Sequence, residues 1–505
     1  MHKRLIIRTY IFITVSTLLI GACGGGGGDG SDGPGTGGSP PPLNPPPPVN
    51  NTNTVSDVFN SRNVGLSDHD VVLNDSGDGI AYWRESNGNT YLLMANHYQN
   101  GRWATAQSIG LSAALSPRIN LNDAGAAVAV WAERTFDSFG IGIVRNEIWA
   151  AHYRNTVWET PVRISSATPA PVDTTWFAAD PKIALDSNGN ALAVWVLSDS
   201  SLSTSSGVYY SKFNGVSWSS PQLLNNGTHG VNSLSLTMAA NANGNAIITW
   251  AQNTNLYDPG RTAGWGTPNL WGTLYSDGSF TAAQLVGDMT LPDFDGVGDA
   301  VDTNVSINNT GNAVVTWQES RAIAPRYRIL SRQANSSGFA TTFITVDTSA
   351  TSNDLLSLPV VSIDDADNIL YAWRRNIATG GSIPDGLFRF YNANGTTPAA
   401  SSELFEDSDD GLDLFIPVTT NRAGDFFLLW KDWPSTVAYN PAIRLRKYSQ
   451  PGGLATSITN AGYGSDPRMA TNTLGESLIV ALKSGIQPSS GFTSEIIGIY
   501  VPVSP

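Results

Sequence analysis

The sequence predicts an all-β fold: an eight-bladed β-propeller of four-stranded antiparallel blades, its last blade closed by an N-terminal strand. Three observations predict it. First, one ten-residue phrase recurs along the chain, as "NDAGAAVAVW" at 122–131, "DSNGNALAVW" at 186–195, "NANGNAIITW" at 241–250 and "NNTGNAVVTW" at 308–317. Second, charged residues are only 14% of the chain, while Gly, Ser, Thr, Asn and Trp abound. That mix suits short strands joined by many turns, and no stretch carries a sustained helical period. Third, the last copy is one strand short, and a spare strand precedes the first.

Each copy places Gly six residues before Trp: Gly77/Trp83, Gly125/Trp131, Gly189/Trp195, Gly244/Trp250, Gly311/Trp317 and Gly424/Trp430. A seventh keeps Trp373 with Asp367 in the Gly place, and an eighth keeps Gly475 with Ala481 in the Trp place. The copies lie 48 to 67 residues apart, a period that belongs to propellers and arrays. Within a copy, a short strand such as "PRINLN" or "PKIALD" meets a turn in which Gly or Asn accepts the positive φ of a hairpin. The second strand, "AVAVW" or "AIITW", is apolar at nearly every position and so is expected to be covered on both faces. Third strands such as "EIWAAHY" and fourth strands such as "PVRIS" complete four per unit. The eighth copy stops after "EIIGIYV", and "NVGLS" at 63–67 matches the fourth-strand "SIGLS" at 108–112. The N-terminal segment is therefore expected to complete the last blade and close the ring, leaving only short outer edges. A seven-bladed count and an open row are the alternatives. The repeated Trp residues read as wedges between neighbouring sheets; the other reading, sugar platforms, fits a surface Trp better than one ending an apolar strand.

Residues 1–22 read as a signal segment, with Lys3, Arg4 and Arg8 ahead of "IFITVSTLLI", an apolar run too short for a comfortable span. "LIGAC" ends in Cys23, the only cysteine, and resembles the lipobox of bacterial lipoproteins. The resemblance implies lipidation of Cys23 and a membrane partner reached through acyl chains. Gly24 after it implies, by the sorting rule of enteric lipoproteins, the outer membrane. A lone Cys also excludes an internal disulfide. Residues 23–57 are Gly-rich and then Pro-rich, a tether that cannot bury a core, and 58–505 reads as one propeller domain. The formal net charge of −14 makes nucleic acid an unsuitable partner.

The repeats "SPRINLNDAGAAVAVW" and "DPRMATNTLGESLIVA" resemble those of TolB-type periplasmic propellers, and the "N-x-x-G-N-A" turn is similar to the Asp box of sialidases. Here the aromatic follows Gly by six residues, not the three of the Asp box. The resemblance implies a fold and no activity.

Long, irregular connections join second to third strands and fourth strands to the next blade, which places them on one face, where function is expected. In "DFDGVGD", Asp293, Asp295 and Asp299 resemble a calcium loop of the Asp-x-Asp-Gly kind, so Ca2+ is the one candidate cofactor; a solvated acidic loop is the other reading. Trp176, Tyr257, Trp265 and Trp433 are candidate stacking surfaces for a sugar or a protein, or local caps of their loops. Histidines are scattered, and there is no nucleophile elbow, phosphate loop or Cys pair. Sialidase-like chemistry would need an arginine cluster, for which Arg261, Arg321, Arg326, Arg374 and Arg375 are candidates. Three functions stay open: a surface-anchored module binding glycan or protein through the long-loop face, a glycoside hydrolase or lyase, and a scaffold of an envelope complex. Arginines converging with a Tyr and a carboxylate near the centre would favour the enzyme.

Overall fold

A computed structural model describes residues 52–54 and 66–502, except the connections at 87–90, 111–113, 137–142, 166–175, 200–206, 226–230, 254–267, 288–301, 321–324, 352–353, 378–384, 394–402, 407–417, 433–440, 450–452, 455–457 and 488–490. Every element among the described residues is a strand, and almost every pairing is antiparallel. The fold is all-β and propeller-like.

The recurring phrase is the inner hairpin of each repeat. In repeat 1, Leu66–Leu73 turns into Gly79–Ser86; in repeat 2, Ala114–Leu121 into Ala127–Phe136; in repeat 8, Ser465–Thr471 into Ser477–Gln487. The turns share one geometry. In the second, Gly125 at φ 77° donates its N–H to the Asn122 carbonyl (3.0 Å), and the Asn122 side-chain oxygen accepts from Ala126 N (3.0 Å). Asp367 adopts φ 65° in the Gly place of repeat 6, and its carboxylate accepts from Asn308 Nδ2 (2.8 Å) and Asn312 Nδ2 (2.9 Å) of repeat 5. Those bonds offset the cost of a left-handed non-Gly residue.

The expected blade needs two adjustments. The fourth strand is split: Tyr91–Gln99 pairs with both Arg102–Trp103 and Gln107–Ser108, and "PVRIS" contributes only Val162–Arg163. Repeats 2 and 3 also share one nine-stranded sheet through a single parallel pairing, Phe177 with Asn146. The N-terminal strand that pairs with the last repeat is Thr52–Thr54, not 63–67: Thr52, Asn53 and Thr54 lie opposite Ile499, Gly498 and Ile497. Leu66 and Ser67 begin the inner strand of repeat 1 instead, opposite Glu85 and Arg84. Residues 63–65 lie outside the described residues, and sheet structure begins inside the stretch read as tether.

The repeated Trp side chains are wedges, as the sequence implies. Trp83, Trp131, Trp195, Trp250, Trp317, Trp373 and Trp430 are at most 2% exposed. Each joins an apolar cluster with the preceding repeat: Trp131 packs with Ile80, Tyr82 and Leu93 of repeat 1, and Trp373 with Val314 and Ile329 of repeat 5. In repeat 8, Ala481 takes the Trp place, among Leu429 and Ile443 of repeat 7. Trp83 packs with Leu478, Val480 and Ile496 of repeat 8. Three of the indoles are satisfied by the residue two places on: Trp83 Nε1 donates to Glu85 (3.1 Å), Trp131 to Glu133 (3.2 Å) and Trp250 to Gln252 (3.0 Å). Burial pushes the Glu85 and Glu133 carboxyls up, against the pull of those hydrogen bonds.

Candidate functional site

All eight hairpin turns line one cavity of about 540 Å³. The Asx side chains knit neighbouring turns together around it: Asn74 Nδ2 donates to the Asn122 carbonyl (3.0 Å), Asn122 to Asp186 (3.0 Å), Asn241 to Asn308 (2.8 Å) and Asn308 to Asp364 (2.8 Å). Asn472 of repeat 8 reaches the Asn74 carbonyl of repeat 1 at 3.4 Å, and Thr473 N donates to Asp75 (2.8 Å). The amides at this end are thus spent on structure.

The other end of the inner strands differs. A bulge interrupts them, and its first residue is left-handed without being Gly: Asp68 (φ 48°), Ser116 (47°), Asp180 (50°), Leu358 (52°) and Asp466 (49°). Pro follows in four of these five, as Pro117, Pro181, Pro359 and Pro467; repeat 1 has His69 there. The bulge extends each strand ahead of its Pro, so Trp176, expected in a loop, is the first residue of the strand Trp176–Leu185, opposite Asp199.

Four places before each turn Asx, the inner strand carries Arg468 in repeat 8, Asp70 in repeat 1, Arg118 in repeat 2 and Lys182 in repeat 3. Repeats 4, 5 and 6 carry Thr237, Asn304 and Val360 there. In those repeats the position does ordinary stitching: Thr237 bonds Thr249 (2.6 Å), and Asn304 accepts from Val361 N (3.0 Å). The charges therefore gather on one arc of four consecutive repeats, which the repeat architecture does not itself require.

Within the arc, carboxylates and cations are paired locally. Arg84 binds Asp68, Lys182 binds Asp180, and Arg468 binds Asp466 at 3.1 Å. Asp70 accepts from Val71 N (2.8 Å) and from the Tyr82 hydroxyl (3.4 Å). Arg118 is the exception. Its guanidinium donates to the Pro117 carbonyl (2.7 Å) and, among the described residues, has no carboxylate within ion-pairing distance. Burial opposes its charge, but the fields of the carboxylates Asp70, Asp180 and Asp68 act against that and favour the protonated form. Tyr82 is buried, which pushes its phenol far up and keeps it neutral. Burial pulls Lys182 down to about 8, a pull reinforced by Arg118 and opposed by Asp180. His69 is buried; its Nε2 lies 2.7 Å from the Asp466 carbonyl, while Nδ1 has no hydrogen-bond partner and sits 3.8 Å from the Asp466 carboxylate. The short Nε2 contact assigns the proton to that nitrogen, and burial lowers the ring's basicity against the pull of Asp466. Asp68 and Asp466 keep side chains 39% and 40% exposed, so the arc is open to solvent along its edge.

Asp293, Asp295, Asp299, Tyr257, Trp265 and Trp433 lie outside the described residues, as do Arg261 and Arg321. Arg375 pairs with Asp354 at 3.0 Å in repeat 6. Among the described residues, no group of three or more metal-ligating side chains converges. The cations that gather among the described residues are Arg84, Arg118, Lys182 and Arg468, and for the last three the sequence signal was in plain view. It is the residue after Pro in "SPR", "DPK" and "DPR", together with His in the Pro place of "DHD".

No family model and no curated protein matches the chain. Solved structures similar to it include an ulvan lyase of polysaccharide lyase family PL25 bound to -[GlcA(1-4)Rha3S]- (10% identity, 90% of this chain and 98% of that one, TM-score 0.44). The polysaccharide lyase Uly1 is similar at 9% identity, over 86% of this chain and 90% of that one, with a TM-score of 0.45. So is a GH93 α-L-arabinofuranosidase of Fusarium graminearum with arabinobiose (12% identity, 64% and 92%, TM-score 0.38).

Proposed function

We propose that this chain is an eight-bladed propeller closed between repeats 8 and 1, and that it cleaves acidic polysaccharides at the charged arc of repeats 8, 1, 2 and 3. The observation that carries the reading is Arg118: a guanidinium held charged among carboxylates that all have other partners, whose one hydrogen bond among the described residues goes to the Pro117 carbonyl, leaving its other N–H groups for an anion. A uronate carboxylate fits such a fork bidentately. Beside it stands an amine, Lys182, that is partly neutral near pH 8. Together they suit elimination. Arg118 neutralises the uronate carboxylate, which acidifies the C5 proton. The neutral Lys182 amine takes that proton, the C4–O4 bond breaks as the C4=C5 double bond forms, and the departing oxygen takes a proton from water. Asp70, held by Tyr82, sits close enough to fix the charge of Arg118. A binding module would use the same cations but gives no role to a depressed lysine.

The test is incubation of the full chain with a panel of uronate-bearing polysaccharides, followed by the ultraviolet absorbance of the unsaturated product. Product should form, and kcat should rise with pH through about 8 as Lys182 loses its proton. Binding without any product would return the chain to the class of binding modules.

The chain is further proposed to be an outer-membrane lipoprotein anchored through Cys23, with the Gly- and Pro-rich stretch as tether. Cys23→Ser should move it from the membrane to the soluble fraction of lysed cells; unchanged fractionation would remove the anchor from the account. A tethered enzyme, more negative than the formal −14 of the full chain once Lys3, Arg4 and Arg8 are removed, would meet an acidic polymer against its overall field. Capture should therefore depend on the local arc, and salt should weaken it.

A further inference from the structure

We propose a second saccharide site, independent of the charged arc, in the cleft between repeats 3 and 4 at the hairpin end of the molecule. It would hold one neutral pyranose ring stacked on Tyr275.

The repeats themselves supply the template. The third strand of each repeat presents one side chain opposite the residue three places beyond the turn Gly (or Asp367). These are His97, His152, Lys212, Leu274, Gln333, Phe390, Lys447 and Tyr500 in order. At four interfaces that side chain is a ring seated against an aromatic of the next repeat. His97 stacks on Tyr153 with centroids 4.0 Å apart, and His152 meets Phe213 at 4.0 Å. Phe390 meets Tyr448 at 4.9 Å, and Tyr500 stacks on Tyr98 at 5.8 Å. Between repeats 4 and 5 the pair is Leu274 and Ala334, packed in one apolar cluster.

Between repeats 3 and 4 the receiving aromatic is present and its ring partner is not. Lys212 stands in the ring's place and swings aside to donate to the Gly278 carbonyl at 3.1 Å. A cavity of about 430 Å³ remains, with Tyr275 in its wall. The Tyr275 ring is backed by Phe280, with centroids 4.8 Å apart, so it is held in place. Its surroundings are unlike those at the filled interfaces: Asn190, Asn214, Asn243 and Asp277 line the same cavity. The Asp277 carboxylate has no protein partner among the described residues. The Asn214 side-chain oxygen accepts from Val216 N (3.0 Å) and Ser217 N (2.9 Å), while its amide N–H groups have no acceptor among the described residues. Asn190 and Asn243 spend their amide N–H groups on Asp186 (2.8 Å) and the Asn309 carbonyl (3.1 Å), so Asp277 and Asn214 are the groups left to read hydroxyls beside the aromatic face that takes a sugar's apolar C–H face. The cavity between repeats 5 and 6, at Gln333, is of similar size, about 390 Å³, and also carries amides and hydroxyls, but the acid in its wall, Asp367, is already engaged by Asn308 and Asn312.

The test uses saturation-transfer NMR on the full chain with free glucose, galactose, mannose and N-acetylglucosamine at millimolar concentration. At least one should show transfer to its ring protons. Tyr275→Ala should abolish the signal. Lys212→His should also abolish it, by restoring the ring that fills the sister interfaces, while leaving the circular-dichroism melting curve at or above that of the parent. Absence of transfer from all four sugars, or transfer that persists in the folded Lys212→His variant, would overturn the proposal. Arg118→Ala should leave this binding unchanged; its loss there would place the sugar at the charged arc instead.

Discussion

Arg118→Ala should lower turnover of a uronate-bearing polysaccharide by about 10²–10³-fold, the usual cost of removing a preorganised donor to developing charge. Among the described residues, the variant removes the guanidinium of the arc that no carboxylate engages. It also leaves Asp70 and Asp180 facing each other's field without it, so the melting curve must be measured alongside. Arg118→Lys separates the two effects. It keeps the charge but loses the fork, and it should restore the melting curve while recovering only part of the turnover. Equal activity in all three chains would remove Arg118 from the chemistry.

The second large effect concerns stability. Trp83→Ala should destabilise the fold by about 3–5 kcal/mol in urea titration, the cost of emptying a large buried aromatic site. Trp83 is fully buried, and it packs with Leu478, Val480 and Ile496 of repeat 8 as well as with its own repeat. Trp131→Ala, at the interface of repeats 1 and 2, is the internal reference. In a closed ring the two substitutions cost alike. In an open row, repeat 1 would have no neighbour on that side, and Trp83→Ala would cost about 1 kcal/mol or less, as for an exposed residue.

How much of this was legible beforehand follows from what repeats encode. Gly125, Gly244 and Trp250 advertise a turn and a wedge because every repeat must solve the same packing problem, so the sequence shows the solution many times. Even the departure at Asp367 is explained by a local need, since its carboxylate serves Asn308 and Asn312. The closing strand was expected in kind but misplaced: Thr52–Thr54 is too short and polar to be distinguished from tether, whereas "NVGLS" matches the fourth-strand "SIGLS". The charged arc was not singled out from the sequence, for a physical reason. Attention to long loops follows the general rule that frames hold and loops act. Here His69, Arg118 and Lys182 belong to the frame, on strands whose Pro-preceded bulge looks from sequence like a strand start. A functional residue on a repeated element is visible only as a break in the repeat, and the break at "DHD" and "SPR" is one of charge, not of pattern.

The most direct measurement is a crystal structure of the Lys182→Gln chain soaked with a uronate oligosaccharide. The account predicts a uronate carboxylate within hydrogen-bonding distance of both Arg118 Nη atoms, with C5 of that sugar facing position 182. An oligosaccharide bound elsewhere, with Arg118 turned to pair with Asp70 or Asp180, would contradict it.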